Sequence, residues 1–192
     1  GHSMGGNAAI RGANYFGKEA ARLNEESKLH SIYISGYVLT LRNSILKHFQ
    51  SNAGVSYALY DEGAFRNKLK GWDAGNMQIA PESLRFVNWG IYNKARGETK
   101  IELGKYYGNA KDRSLRVVHN EPVLHPFQPY NFEAMQNQIE FFVKTFAAAV
   151  AGVFMCIRGA DAFRVCTRSG VVCIYCLGLE MNCKKKIDRC CE

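Results

Sequence analysis

The first 155 residues of this 192-residue chain contain no cysteine. Disulfide bonds and thiolate metal sites are therefore excluded from most of the chain. All seven cysteines lie in the last 37 residues, so the body and the tail are different kinds of sequence. We predict a main domain over residues 1–147 and a cysteine-rich tail over residues 148–192.

Long hydrophobic runs are also missing. The longest candidate, residues 146–157, has 12 residues, whereas a membrane span needs about 18 or more. The chain opens without an initiator Met and without the basic and apolar regions of a signal peptide. The formal net charge is +8, but the basic residues are spread thinly along the chain. We therefore expect a solvated basic surface, with neither nucleic-acid binding nor membrane association.

The main domain alternates helical and strand patterns, and its 47% hydrophobic content is typical of one globular core. Helical patterns cover residues 6–23, which end near Asn24, and residues 42–49. β-branched and aromatic runs predict strands over residues 29–36, 54–60 and 115–119. Asn131 is predicted to cap a last helix, whose apolar residues recur at spacings of three and four. This pattern predicts an α/β fold with a mostly parallel sheet and flanking helices.

The stretch of residues 63–112 interrupts this alternation. It has mixed polarity and several glycines, and we predict that it forms a lid-like insertion. Four of its aromatic side chains either line an apolar pocket or pack in the ordinary way: Trp72, Phe86, Trp89 and Tyr92.

Residues 1–5 read Gly-His-Ser-Met-Gly, a Gly-x-Ser-x-Gly motif that runs into a predicted helix. Small neighbours permit a sharp strand-to-helix turn that strains the serine backbone and exposes its hydroxyl. Ser3 is therefore the candidate nucleophile, and the N–H of Met4 is the candidate oxyanion donor at the start of the helix. Residues left by an expression tag can imitate so short a motif. Whether residues 1–5 are a nucleophile motif therefore depends on finding a base and an acid further along the chain.

A serine hydroxyl needs a base to remove its proton, and the base needs a carboxylate to orient it. His125 is the candidate base because it follows the last predicted strand of the main domain and precedes its last helix. The other histidines downstream of the motif lie in or at the ends of predicted elements, where structural roles are more common: His30, His48 and His119.

Asp61 is the candidate acid, because it directly follows the second predicted strand at the carboxyl edge of the sheet. Glu62 is the alternative. Neighbouring residues of an extended chain point in opposite directions, so only one of the two carboxylates can face His125. The order Ser3, Asp61, His125 is that of α/β-hydrolases, and it differs from the trypsin-like and subtilisin-like orders.

The motif at residues 1–6, the strand end at residues 60–62 and the Leu-His-Pro-Phe at residues 124–127 together resemble the α/β-hydrolase superfamily. The resemblance covers residues 1–147. It implies a serine hydrolase that cleaves an ester, thioester or related acyl bond of a small-molecule substrate through an acyl-serine intermediate. It assigns the nucleophile to Ser3, the acid to Asp61 and the base to His125, and it implies no metal and no organic cofactor.

Members of this superfamily have several strands, and a loop with a second oxyanion donor, ahead of the motif with which this sequence begins. The sequence thus resembles the C-terminal portion of the family, a partial α/β-hydrolase fold. An unpaired sheet edge is a poor basis for preorganised catalysis, so we expect little or no activity from the isolated chain. A noncatalytic hydrolase-like protein, or a binding module built on the cysteine-rich tail, is the alternative function.

In the tail, Cys173 and Cys176 have the Cys-x-x-Cys spacing of a structural zinc site, and Cys183 and Cys190 could supply further thiolates. No second Cys-x-x-Cys follows, and the adjacent pair Cys190 and Cys191 is awkward for two ligands of one ion. A disulfide framework is a further alternative. We favour a tail without selected chemistry and predict no metal site.

Overall fold

The computed structural model of this chain describes residues 1–61, 75–89, 97–147, 163–168 and 171–176. The chain divides into two compact units, Gly1–Ala148 and Ala149–Glu192. The elements of the first unit are, in order, α1 (Met4–Leu23), β1 (Ser31–Ser35), α2 (Asn43–Leu46), β2 (Asn52–Ala58), α3 (Pro81–Asn88), β3 (Arg116–Glu121), a 3-10 helix (His125–Tyr130) and α4 (Phe132–Ala147).

The three strands of this unit form a parallel sheet in the order β1-β2-β3. In its register Ile34 lies opposite Val55, which lies opposite Val118. Nearly every residue of the strands is buried, as expected for a parallel sheet covered on both faces. The predicted α/β class, with a small parallel sheet and flanking helices, is confirmed.

Helices cover both faces of the sheet because alternate strand residues point to opposite sides. On one face, Ile10 of α1 and Phe86 of α3 belong to a buried cluster that includes Val55. On the other face, Phe141 of α4 packs with Tyr33 and Val117. The sheet therefore lies between two helical layers.

The ends of the helices agree with the sequence signals. α1 ends at Leu23, and Asn24 caps it. Asn24 adopts the left-handed conformation at φ 53° and donates its N–H to the carbonyl of Ala20. The side chain of Asn131 accepts a hydrogen bond of 2.9 Å from the N–H of Ala134, at the start of α4. Both are standard terminal interactions of helices, and the predicted cap at Asn131 is confirmed.

Several predicted boundaries differ from the structure. β2 ends at Ala58 rather than at residue 60, because the chain turns there and the N–H of Asp61 donates to the carbonyl of Ala58 at 3.2 Å. The second predicted helix is reduced to the four residues of α2. Phe86 does not line a pocket but is a fully buried core residue, since α3 packs against the sheet. Trp89 packs against the same core, and Trp72 and Tyr92 lie outside the described residues.

The second unit contains an antiparallel pair of strands that the sequence did not predict, β4 (Phe163–Arg168) and β5 (Val171–Cys176). Cys166 and Cys173 are partners in the register of this pair. Of the four cysteines considered for zinc, two lie on or at the end of β5, while Cys183 and Cys190 lie outside the described residues.

No helix within the described part of the chain combines the length and the apolar character that crossing a membrane requires. Most of the apolar stretch at residues 146–157 falls outside that part.

Candidate active site

The predicted site residues lie at the carboxyl edge of the sheet. Ser3 follows a short extended segment whose His2 forms a parallel bridge with Ser35, the last residue of β1. Asp61 follows β2, and His125 follows β3. In open parallel sheets this edge is where ligands usually bind, since the chain leaves each strand there into a loop.

The backbone at Ser3 makes the sharp turn that the motif predicts. Its dihedral angles are φ 54° and ψ −120°, an uncommon conformation for a residue other than glycine. The turn is held because Ser3 N–H donates to the carbonyl of Ser35 at 2.8 Å, and Ser3's own carbonyl accepts from Asn7 N–H at 3.2 Å. Ser3 thus joins the sheet edge to the first turn of α1.

Two of the three glycines at the turn lie in tight surroundings. A Cβ on Gly1 would overlap the carbonyl oxygen of Gly5, and a Cβ on Gly6 would lie 3.0 Å from Cβ of Tyr37. At Gly5 a Cβ would meet nothing within 4 Å. The tight glycine after the serine is therefore Gly6, one residue beyond the end of the five-residue motif.

Met4 is the first residue of α1. Its N–H has no helical carbonyl to bind, because the first amides of a helix lack partners within the helix. It lies at the positive end of the helix dipole, where developing negative charge is stabilised. The N–H of Met4 is thus suited to the predicted oxyanion contact.

The structure brings His125 and Asp61 together. Nδ1 of His125 lies 2.8 Å from Oδ2 of Asp61, and the two side chains are 23% and 2% exposed. This is the distance of a charge-assisted hydrogen bond, although the two groups are not aligned as a regular hydrogen bond. Catalytic contacts of this kind are often imperfectly aligned without substrate. The acid is shielded from water, while the histidine remains reachable from solvent.

Asp61 reaches this position through a turn and not as the residue directly after the strand. The turn is pinned to the neighbouring chain, because the N–H of Tyr60 donates to the carbonyl of Val123 at 3.2 Å. The strand-alternation argument used to choose Asp61 over Glu62 therefore does not describe the geometry. Glu62 lies outside the described residues.

His2 is a neighbour of His125 that the sequence did not single out, although it lies inside the motif. The two rings are 4.7 Å apart between centroids and tilted by 34°. Nδ1 of His2 also lies 3.1 Å from Oγ of Ser35. Burial lowers the pKa of His2, and the nearby His125 lowers it further, while Asp61 raises it. The neutral form of His2 is favoured, so an imidazolium at His125 has an uncharged neighbour.

The remaining contact of a Ser-His-Asp triad is not formed. Within the described part of the chain, the hydroxyl of Ser3 makes no hydrogen bond to His125 or to any other group. Ser3, the candidate nucleophile, is the residue next to His2, whose ring packs on His125. Rotation of a serine side chain about χ1 is a small motion.

The other three histidines have structural surroundings. The ring of His30 stacks on Phe146 with 5.5 Å between centroids. Nδ1 of His119 lies 2.9 Å from the hydroxyl of Tyr33, a contact buried between β1 and β3. Burial lowers the pKa of His30, His48 and His119.

Sequence reasoning also missed a buried polar cluster formed by Glu121, Ser56 and Gln128, the last of which lies on the 3-10 helix that begins at His125. All three side chains are 0% exposed. A carboxylate at the last position of a buried strand, before the loop of the candidate base, was the available signal.

A cavity of about 480 Å³ lies at the opposite edge of the sheet, between the end of α1 and the turn that precedes β3, and its lining includes Asn24, Gln50 and Arg113. It contains none of the candidate site residues. Within the described ranges, no group of three or more His, Cys, Asp or Glu side chains is arranged to hold a metal ion.

No protein-family model, curated protein or solved structure matches this chain. The assignment of a role to these residues therefore rests on their geometry.

Proposed function

We propose that this chain carries the catalytic groups of a serine hydrolase of the α/β type, which cleaves an ester, thioester or related acyl bond. The contact of 2.8 Å between His125 and Asp61, on the same sheet edge as the strained turn at Ser3, is the observation that carries the proposal. Strained backbone and a shielded acid beside a solvent-reachable histidine are typical of catalytic sites.

In the proposed reaction, Oγ of Ser3 attacks the acyl carbonyl carbon while Nε2 of His125 takes the hydroxyl proton. The negative charge moves to the carbonyl oxygen, and the N–H of Met4 stabilises it. The bond to the leaving group then breaks, and the alcohol or thiol departs with the proton from His125. A water molecule, deprotonated by the same histidine, then attacks the acyl carbon, and His125 returns the proton to Oγ of Ser3 as the acid is released.

Asp61 contributes through His125. A carboxylate on Nδ1 holds the ring in the tautomer whose Nε2 can accept the serine proton, and it stabilises the imidazolium that forms. Since Asp61 is 2% exposed, water screens this interaction less than it screens a surface ion pair.

An acyl substrate is supported by the apolar side chains beside the site. Met4, next to Ser3, is 69% exposed, and Leu124, next to His125, is 39% exposed. Phe127, on the same 3-10 helix as His125, is 60% exposed. Binding of a small apolar acyl group would cover this surface, with a favourable contribution proportional to the area buried.

We propose that part of the insertion at residues 63–112 is lid-like. Met77, Phe86 and Ile101 within it are core residues, exposed by no more than 1%. A covering role can therefore belong only to other residues of the insertion.

The test uses a fluorophosphonate probe on the full natural polypeptide that contains these residues. We expect covalent labelling at Ser3, identified by mass spectrometry, and hydrolysis of a p-nitrophenyl ester. Ser3→Ala should abolish both, because the hydroxyl is the attacking group. Ser44→Ala is the matched control, since Ser44 is exposed and lies on α2, away from the sheet edge.

Labelling or hydrolysis that persisted in Ser3→Ala would overturn the proposal. Absence of both from the folded natural polypeptide would favour the noncatalytic alternative.

A further inference from the structure

A buried carboxylate is hydrogen-bonded to the 3-10 helix that carries the candidate base. Glu121 is the last residue of β3, is 0% exposed, and pairs in register with Ala58. A buried carboxylate is stable only when hydrogen-bond donors surround it. The donors around Glu121 therefore show what this carboxylate organises.

Three side chains from three different elements donate to it. Ser56 Oγ of β2 and Gln128 Nε2 of the 3-10 helix bind Oε2 at 2.7 and 3.0 Å. Asn137 Nδ2 of α4 binds Oε1 at 3.0 Å. Gln128 Nε2 also donates to Ser56 Oγ at 2.7 Å, which closes a ring of hydrogen bonds. Glu121 thus ties the 3-10 helix and α4 to the sheet.

The anchored 3-10 helix is the one that carries His125 at its first position. A 3-10 helix has about three residues per turn, so residues 125 and 128 fall on the same side. Gly36 shows that they are neighbours: a Cβ there would lie 2.8 Å from Cε1 of His125 and 3.0 Å from Oε1 of Gln128. The side chains of Gln128 and His125 therefore lie on the same side of the 3-10 helix, next to Gly36.

We infer that Glu121 is a positioning residue for the base, acting through Gln128 on the 3-10 helix that presents His125 to Ser3. The inference rests on the proposed function. It adds a fourth polar side chain to the site, one that touches neither the substrate nor the reacting atoms. The role of Glu121 requires that both of its carboxylate oxygens accept hydrogen bonds, because donors face both of them.

Glu121→Gln tests this requirement with almost no change in volume. The amide oxygen can accept either from Gln128 and Ser56 or from Asn137. On the other side, the amide N–H₂ group then faces a donor, and a hydrogen bond is lost. We expect kcat for a p-nitrophenyl ester to fall about 10- to 100-fold, since small misplacements of a catalytic group have effects of this size. KM should change little. Glu133→Gln, at an exposed position of α4, is the control.

A second substitution reverses one hydrogen bond. In Glu121→Gln with Asn137→Asp, the new carboxylate accepts from the amide at position 121, whose oxygen remains available to Gln128 and Ser56. We expect the double variant to recover most of the lost kcat, whereas Asn137→Asp alone places two carboxylates together and should lower kcat. Because the double variant would also recover any lost stability, kcat is compared among variants that remain folded.

The ring of His125 provides a readout that does not depend on catalysis. In long-range ¹H–¹⁵N spectra, Glu121→Gln should shift the ring resonances of His125, and the double variant should return them toward wild type. If Glu121→Gln does not fold, Ser56→Ala takes its place, because it removes one donor and keeps the carboxylate. It should lower kcat and shift the His125 resonances in the same way, but by smaller amounts.

The two proposals fail in different ways. A wild-type protein without labelling at Ser3 overturns the proposed function, while the His125 resonances still test the anchoring. An active wild type whose kcat and His125 resonances are unchanged by Glu121→Gln, or by Ser56→Ala if that variant is used, overturns the positioning role alone.

Discussion

Gly36 and His125 are in such close contact that no side chain fits between them. A Cβ on Gly36 would lie 2.8 Å from Cε1 of His125 and 2.9 Å from Cε1 of His2. Gly36 also has a φ of +61°, a conformation that favours glycine. Gly36, the residue directly after β1, thus limits the space available to the candidate base.

Gly36→Ala should therefore impair catalysis. The left-handed backbone adds a cost of about 1–2 kcal/mol for a residue with a Cβ, and the methyl group must displace the ring of His125. We expect kcat/KM to fall about 10- to 100-fold, measured with a p-nitrophenyl ester. Gly12→Ala, on α1, is the control. A Cβ at this position would meet nothing within 4 Å, so the substitution should stabilise the fold by about 0.5–1 kcal/mol. Equal activity of both variants would argue against this packing.

Asp61→Asn should keep the volume of the acid and remove its charge. An amide on Nδ1 of His125 stabilises the wrong tautomer or leaves the imidazolium without a counter-charge, which in Ser-His-Asp triads lowers kcat by about 10⁴-fold. Glu62→Gln, the alternative acid from the sequence, should leave kcat within about a factor of two, a difference of under 1 kcal/mol. The reverse outcome would transfer the acid role to Glu62.

The folded protein should lose stability on mild acidification, in part through His119. Burial lowers the pKa of His119 in the fold, although Glu121 and Glu140 oppose the shift. The unfolded chain, with a histidine pKa of about 6.5, then binds the proton more readily. The stabilisation from neutral His119 is complete above the pKa of the unfolded chain. It is lost as the pH falls through the pKa of His119 in the folded protein, which is lower.

Urea unfolding at about pH 7.5 and pH 5.5 measures the free energy of unfolding on either side of the unfolded histidine pKa. His119→Asn, which retains a polar group toward Tyr33, should reduce the loss of stability between the two values. His48→Asn should reduce it less, because His48 is less buried. An unchanged pH dependence in His119→Asn would contradict this assignment.

Asn131→Ala should destabilise the protein by about 1 kcal/mol through loss of the helix cap. The side chain of Asn131 accepts the N–H of Ala134 at 2.9 Å, and the residue lies between the 3-10 helix of His125 and α4. Asn131→Asp retains the acceptor and should stay close to wild type. Urea unfolding at neutral pH compares the two, and equal losses would mean that the side-chain cap contributes little.

The coarse α/β architecture was predictable because its signals are local. Alternating strand and helix patterns predicted the parallel sheet, and the cap at Asn131 needed only the residues around it. The boundaries were less predictable: β2 ends at Ala58 because the turn there is held by Asp61 and by the chain next to it. The burial of Phe86 likewise depends on where α3 packs and not on its own sequence.

The sequence by itself determined which residues were candidates: the Gly-x-Ser-x-Gly turn at Ser3, a carboxylate after a strand and His125 after the next strand. Only the tertiary structure decided which side chains meet. The register of β1, β2 and β3 brings Asp61 within 2.8 Å of His125, and it buries Glu121 between Ser56 and Gln128. The physical reason is that a turn or a cap depends on near neighbours in the chain, whereas these contacts join strands and loops far apart in sequence, which only packing brings together.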